Sequence, residues 1–83
     1  MFNVRVFVSY KESVLDPQAE VIAGAIERLG YNQFSNIKLG KYFDFVIKAV
    51  DRKEALILAE EISDKLLANI NMESYQIELM EDN

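Results

Sequence analysis

Residues 37–49, Ile-Lys-Leu-Gly-Lys-Tyr-Phe-Asp-Phe-Val-Ile-Lys-Ala, carry an apolar side chain at every odd position except Lys41. Two interpretations of this stretch lead to different folds. A two-residue hairpin at Gly40-Lys41 would place Ile37 opposite Asp44 and so mix apolar and charged side chains on one face. A single strand, bent or bulged at Gly40, keeps the apolar side chains together. We therefore favour the single strand.

Two further segments show the alternation of a half-buried strand. Residues 2–10 alternate with β-branched and aromatic side chains on one face, and residues 75–80 read Tyr-Gln-Ile-Glu-Leu-Met. The predicted strand over 37–49 is longer than the usual length of about five or six residues. Part of it is therefore expected to extend beyond its own subunit and to pair with another.

The segments between the strands have helical spacing and helix start signals. Asp16-Pro17 suits an N-cap followed by the first helical residue, and Gly30 stands where a left-handed residue ends a helix. Residues 51–54, Asp-Arg-Lys-Glu, resemble a capping box, and Asn69 is the expected stop. The order β-α-β-α-β predicts an α+β fold: a mostly antiparallel three-stranded sheet with a long bent central segment, and two helices on one face.

The composition limits the chemistry that the chain can perform. It has 83 residues, nine Lys or Arg, fourteen Asp or Glu, a formal net charge of −5, and no His, Cys or Trp. Without Cys and His there is no thiolate nucleophile, imidazole base, disulfide or ordinary zinc site. The length predicts one domain, residues 1–83, with a core so small that self-association is the expected source of further stability.

Charge and hydropathy argue against several classes of partner. No basic face is apparent, which argues against nucleic acid, and an acidic chain binds anionic membranes poorly. No apolar run reaches the roughly 18–20 residues of a membrane span, and no basic leader precedes the first strand. We expect a soluble, cytoplasmic protein that binds neither nucleic acid nor membrane.

The sheet face away from the helices is expected to be only half polar. Apolar side chains there stand among Arg5, Lys38, Asp44 and Lys48. On a chain with a small core, a contiguous half-apolar face is better explained as an association surface than as scattered surface residues. We predict a homodimer or homotetramer, with a candidate self-association face formed by Phe7, Tyr42, Val46 and Val50.

Motifs for catalysis and phosphate binding are nearly absent. Glu60, Glu61 and Asp64 lie close together on a predicted helix, where solvated charge is the expected role rather than a cation site. Gly40-Lys41 lacks the Gly-rich loop and the following helix of a phosphate loop. Because Lys41 interrupts an apolar row, a bulge that turns it to solvent is the favoured explanation. The alternative is a contact to a partner's carboxylate or phosphate.

Three blocks of sequence, in order along the chain, resemble a known family. They are residues 8–18, Val-Ser-Tyr-Lys-Glu-Ser-Val-Leu-Asp-Pro-Gln, residues 40–42, Gly-Lys-Tyr, and residues 65–69, Lys-Leu-Leu-Ala-Asn, with Tyr75 following. Over essentially the whole chain, they resemble the small PurS subunit of phosphoribosylformylglycinamidine synthase (formylglycinamide ribonucleotide amidotransferase). The chain departs from the family pattern at Ala19, where the family usually has Gly, and in the loop over 69–72.

The resemblance implies a non-catalytic subunit of an ATP-dependent ligase in purine biosynthesis, which makes formylglycinamidine ribonucleotide with glutamine as amide donor. In that family a glutaminase subunit releases ammonia and a large synthetase subunit uses ATP and Mg. The small subunit is expected to dimerise, to bridge the other two and to assist ammonia transfer, while binding no cofactor or metal itself. The matched positions imply structural or partner-contact roles for Asp16, Pro17, Gln18, Lys41, Tyr42, Leu67, Ala68 and Asn69.

A second hypothesis is a small-molecule-binding regulatory module of ferredoxin-like, ACT-type topology. This topology requires the hairpin at Gly40 and therefore four strands. A continuous strand through Gly40 would count against it.

Overall fold

The computed structural model describes residues 1–80. The elements are β1 (Phe2–Tyr10), α1 (Pro17–Arg28), β2 (Gly40–Ile47), α2 (Arg52–Ile62) and β3 (Glu73–Met80). The sheet has the order β2-β1-β3, and both strand pairs are antiparallel. The helix α2 continues into a single π-helical turn over Ser63–Leu67. These features confirm the predicted α+β class and the antiparallel three-stranded sheet.

The core lies between one face of the sheet and α2. Val4, Val6 and Val8 of the central strand are at most 1% exposed. On the helix side, Ala55 and Ala59 are fully buried, so small side chains let α2 approach the sheet closely. The even positions of β1 and the odd positions of the other strands therefore face the helix, as predicted. Half-buried side chains complete this layer: Phe2, Phe43, Phe45, Ile47, Leu67, Tyr75, Ile77 and Leu79.

The strand β2 is shorter than predicted. It begins at Gly40 rather than at Ile37, because β1 ends at Tyr10 and, within the described chain, residues 37–39 have no neighbouring strand to pair with. The pairing of β1 with β2 continues through Gly40 and Lys41 without a bulge, so the expected bulge is wrong. No hairpin forms there, and the exposure of the side chains still alternates over residues 37–39.

The helix termini follow the predicted capping. The Asp16 carboxylate accepts hydrogen bonds from the backbone N–H groups of Gln18 at 2.9 Å and Ala19 at 3.4 Å. The Asp51 carboxylate accepts one from the N–H of Glu54 at 2.8 Å. Gly30, just past α1, has a φ of 92°, a conformation that favours glycine.

The helix α1 lies beyond the end of the sheet. Among residues 1–80, Ala19 is the one buried residue of α1, and it does not belong to the core cluster around β1. The helix instead packs against residues 31–39, where Ile37 and Leu39 are half-buried. The radius of gyration is 16.3 Å, against about 12 Å for a compact chain of this length. Within one chain, the prediction that both helices cover one sheet face therefore holds for α2 only. We call residues 17–39 the arm.

Candidate functional site: a polar cleft at the end of the sheet

A polar cleft of about 260 Å³ lies where three strands and α1 meet. The end of β1 contributes Ser9 and Tyr10, and the starts of β2 and β3 contribute Lys41 and Glu73. The start of α1 contributes two further polar residues, so the cleft brings together three of the eight predicted site residues: Asp16, Gln18 and Lys41.

Lys41 is the cation of this cleft. It pairs with Val8 in the sheet and keeps the orientation of the odd positions, so its side chain lies on the helix side. Its ammonium nitrogen lies 5.8 Å from the centroid of the Phe43 ring, within the range of a cation–π contact. Among residues 1–80 it forms no ion pair. Lys41 is therefore exposed without a bulge, because it stands at the end of the sheet.

The residues at the start of α1 have different roles. The Asp16 carboxylate caps α1. Pro17 takes the first helical position, where a backbone N–H would have no partner within the helix, so its absence costs nothing. The Gln18 backbone is bound to Asp16, while its side chain is exposed and lines the cleft. Asp16 and Pro17 thus have a structural role, whereas Gln18 is available to a partner.

The residues of the third block do not line the cleft. Leu67 and Ala68 belong to the core, and the N–H of Ala68 closes the π-turn on the carbonyl of Ser63 at 3.0 Å. Asn69 organises the loop before β3, because its N–H donates to the Glu73 carboxylate at 2.8 Å and its side-chain oxygen accepts from Asn71 at 3.1 Å. Asn69 therefore contacts the cleft only through Glu73, which lines it.

The sheet face opposite α2 holds a row of paired side chains. Phe7 and Tyr42 are cross-strand neighbours with ring centroids 6.0 Å apart. The Arg5 guanidinium lies 4.4 Å from the Tyr42 ring centroid and donates two hydrogen bonds to Asp44, at 2.7 and 2.8 Å. These bonds raise the pKa of Arg5 and lower the pKa of Asp44. We call this surface, with Val46, the open face.

The four residues of the predicted association face are all exposed, but only three of them lie on the open face. Phe7, Tyr42 and Val46 are 41%, 57% and 57% exposed. Val50, at 84%, is also exposed but lies after β2, in the segment leading to α2. Tyr42 points away from the cleft, because it stands at an even position of β2.

An apolar groove beside α2 was not found from the sequence. It has a volume of about 410 Å³ and lies between α2 and the free edge of β2. Glu61 and Lys65 are its charged members, and its apolar lining is formed by Phe45, Ile47, Leu58, Ile62 and Leu67. In the sequence, these lining residues belong to the same apolar faces as the core residues of β2 and α2, so no separate signal marks the groove.

Two classes of site have no geometric support in the part of the chain that the structure describes. Over residues 1–80, no three carboxylates lie close enough together to hold a metal ion. Over the same residues, no helix is long and apolar enough to span a membrane.

The comparison with known families settles the assignment. The model of the PurS family, described as phosphoribosylformylglycinamidine (FGAM) synthase, matches residues 3–81. The chain belongs to the PurS family. It is 41% identical over 81 residues to the PurS subunit of phosphoribosylformylglycinamidine synthase from Bacillus subtilis, covering 98% of this chain and 95% of that protein. It is 40% identical over 78 residues to the Mycobacterium leprae subunit, covering 93% and 94%.

Solved PurS structures share the fold. The Bacillus subtilis PurS in its C2 crystal form has a TM-score of 0.86 at 41% identity, covering 98% of this chain and 100% of that one. The Methanocaldococcus jannaschii PurS, one of the subunits of formylglycinamide ribonucleotide amidotransferase in the purine biosynthetic pathway, has a TM-score of 0.89 at 26% identity and full coverage of both chains. The sequence-based family assignment is therefore confirmed, and the ACT-type alternative is not supported.

Proposed function

We propose that this chain is a non-catalytic, self-associating subunit of phosphoribosylformylglycinamidine synthase. It acts in the cytoplasm as a single domain, bridges the glutaminase and synthetase subunits and assists the transfer of ammonia between them. The large subunit uses ATP and Mg, and this chain binds neither. The observation that carries the proposal is the match to PurS subunits over nearly the whole chain.

The side-chain inventory supports a non-catalytic role. Glutaminase chemistry in the resembled family needs Cys and His, and the chain has neither. Phosphoryl transfer relies on a phosphate-binding loop, and Gly40-Lys41 opens a strand rather than a helix. The contribution of this chain to the ligase is therefore assembly. The fold of the PurLQS structure from Thermotoga maritima, with a TM-score of 0.86, supports a place for this fold in such a complex.

The polar cleft supports a partner contact. Lys41 has no carboxylate partner within residues 1–80, and the exposed side chain of Gln18 stands near it. A lysine ammonium and an amide that line the same cleft suit a carboxylate of an adjoining subunit. We therefore assign the cleft to a contact with an acidic side chain of a partner in the complex.

The open face supports a second association surface. Tyrosine and arginine are the residue types that dominate binding energy at protein interfaces, and Arg5 and Tyr42 stack here at the centre of the face. Because Asp44 already neutralises Arg5, covering this pair leaves neither of its two charges without a partner. Phe7, Val46 and Val50 extend the apolar area around it.

Reconstitution with separate subunits tests the proposed function. Purified synthetase and glutaminase subunits are combined with and without this chain, in the presence of glutamine, ATP and Mg. We expect glutamine-dependent synthesis to require this chain, whereas synthesis from added ammonia needs the synthetase subunit alone. Full glutamine-dependent activity in its absence would sink the proposal.

A further inference from the structure

The strand β3 forms the edge of the sheet on the side away from β2, and among residues 1–80 it has no outer neighbour. Its ladder with β1 runs from the Tyr10–Glu73 pair to the Asn3–Met80 pair without a bulge. Edge strands are commonly protected from other chains by lysine, proline, a bulge or short length. The eight residues of β3 are regularly paired and include none of these devices. The outer side of β3 is therefore suited to accept a further strand.

The backbone of β3 points hydrogen-bonding groups outward at every second residue. The Lys11 N–H donates to the Met72 carbonyl at 3.0 Å, one step beyond the last pair of the ladder. Since hydrogen-bonded pairs alternate in an antiparallel ladder, the even residues of β3 bond to β1 and the odd residues point outward. The first odd residue, Glu73, donates its N–H to the Asn69 carbonyl at 2.6 Å. Among residues 1–80, the N–H and C=O groups of the other three odd residues have no backbone partner: Tyr75, Ile77 and Leu79.

Carboxylates line this edge on both faces of the sheet. Glu73 has the odd parity of the α2 side, whereas Glu78 pairs with Arg5 on the open face. On the other side Glu60 and Asp64 of the helical segment lie beside Tyr75, whose hydroxyl donates to Asp64 at 2.8 Å. The hydrogen bond to Asp64 raises the pKa of Tyr75, and the negative charge of Glu60 contributes to the same shift. Among residues 1–80, none of these four carboxylates forms an ion pair.

We propose that the outer edge of β3 binds an extended, basic segment of a different chain, which adds a strand to the sheet in the assembled ligase. This inference rests on the proposed function and names a contact surface and the chemistry of its occupant. The outward backbone groups at residues 75–79 supply main-chain hydrogen bonds to the added strand. Lysine or arginine side chains of that strand pair with the carboxylates along the edge.

The charge of this edge argues against a second copy of β3 as the occupant. From residue 66 to its end, the chain has four acidic residues and no Lys or Arg. Pairing two such strands would bring carboxylates of the same sign together on both faces of the sheet. Complementary charge therefore requires a segment of another chain.

The edge is continuous with the polar cleft. Glu73 begins β3 and also lines the cleft, so a segment bound along β3 brings its own chain to the cleft. Lys41 has no carboxylate partner there among residues 1–80. One neighbouring chain is therefore able to contact both surfaces.

Hydrogen–deuterium exchange tests the proposal on the unmodified chain, because β3 contains its own control. The amides of Gln76 and Glu78 bond to β1 and should exchange slowly in every sample. The outward amides of Tyr75, Ile77 and Leu79 should exchange fast in the chain alone. Addition of the synthetase and glutaminase subunits, with glutamine, ATP and Mg, should slow these three amides by about tenfold or more. Mass spectrometry with fragmentation to single residues separates the two sets.

Two results overturn the proposal. Outward amides that exchange equally fast in the complex show that no strand covers the edge. Outward amides that are already slow in the chain alone show that a second copy covers it. Glutamine-dependent activity is measured on the same mixtures. A required chain with an unprotected edge leaves the proposed function standing, whereas a protected edge on a dispensable chain removes the function and leaves the edge contact standing.

A pair of charge variants tests the basic character of the occupant. Glu60→Gln combined with Glu78→Gln removes two exposed carboxylates from the edge without touching the backbone of β3. Assembly with the other subunits should weaken several-fold in sedimentation, and its sensitivity to added salt should fall. The matched control combines Glu20→Gln with Glu27→Gln at exposed positions of α1 and should assemble normally. No loss at the edge, or an equal loss in the control, overturns the basic occupant.

Discussion

Gly40 and the carbonyl oxygen of Val8 approach so closely that no larger residue fits at the start of β2. A Cβ atom on Gly40 would lie 2.7 Å from that oxygen, a distance that real Cβ contacts do not show. The φ of Gly40 is not in the left-handed region, so close approach alone requires glycine here. The contact lies where the arm ends and β2 begins, because Gly40 pairs with Ser9 near the end of β1.

Gly40→Ala is expected to lower the free energy of unfolding by about 1–3 kcal/mol, because the backbone of Val8 must move to admit the methyl group. Urea denaturation measures the change. The matched control is Gly24→Ala inside α1, where the new Cβ would meet only the Arg28 guanidinium, at 3.4 Å. Since alanine suits a helix better, the control should gain about 0.5–1 kcal/mol. Equal stabilities for the two variants would contradict this account.

Ser63→Ala is expected to raise the free energy of unfolding. The Ser63 hydroxyl is fully buried and has no hydrogen-bond partner among residues 1–80, so its removal takes an unpaired polar group out of the core. The gain should be about 1 kcal/mol, measured by thermal or urea unfolding. Ser74→Ala, at an exposed position of β3, serves as the control and should change stability by less than about 0.5 kcal/mol. A loss of stability in Ser63→Ala would show that the hydroxyl has a partner.

The pKa of the Asp44 carboxyl is expected below its ordinary value, because it accepts two hydrogen bonds from Arg5. A lowered pKa in the folded chain means that the pair stabilises the fold above the ordinary pKa of an aspartate. That contribution is lost as the pH falls through the lowered value. Carboxyl NMR titration measures it. Arg5→Gln should return the Asp44 pKa towards its ordinary value, whereas Lys38→Gln, which removes a cation that pairs with Glu12, should leave it unchanged.

Lys41→Glu is expected to leave the fold intact and to weaken assembly with the synthetase and glutaminase subunits by about tenfold or more, since a like charge then faces the acidic partner. Sedimentation of the mixed subunits measures assembly. Lys48→Glu is the matched control: it makes the same change of charge at an exposed position beyond the other end of β2. Unchanged assembly with Lys41→Glu, or an equal loss with Lys48→Glu, would remove the cleft from the contact.

Much of the fold could be predicted from the sequence because its signals are local. The alternation over residues 2–10 and the caps at Asp16 and Asp51 depend on neighbouring residues only, and the structure has each of them as expected. The odd positions of β2 face the helix for the same reason, since the side chains of a strand alternate by geometry. The family assignment likewise followed from blocks of sequence.

The site was predictable only in part. The residue types at Asp16, Gln18 and Lys41 were singled out, yet their meeting in one cleft depends on the register between β1 and β2, which periodicity does not specify. The third block, Leu67 to Asn69, turned out to form the core and a loop rather than the cleft. The groove beside α2 had no sequence signal separate from that of the core.

The sequence by itself determined which segments contain the strands and helices, which side of each is apolar, and that no cysteine or histidine chemistry is available. Only the tertiary structure decided that residues 37–39 leave the sheet and that α1 lies beyond it. The physical reason is that local sequence patterns specify which face of each element is apolar. The number of residues over which β2 can form a ladder depends instead on the length of β1, its neighbour in the sheet. Where β1 ends, residues 37–39 continue without a strand to pair with among the described residues.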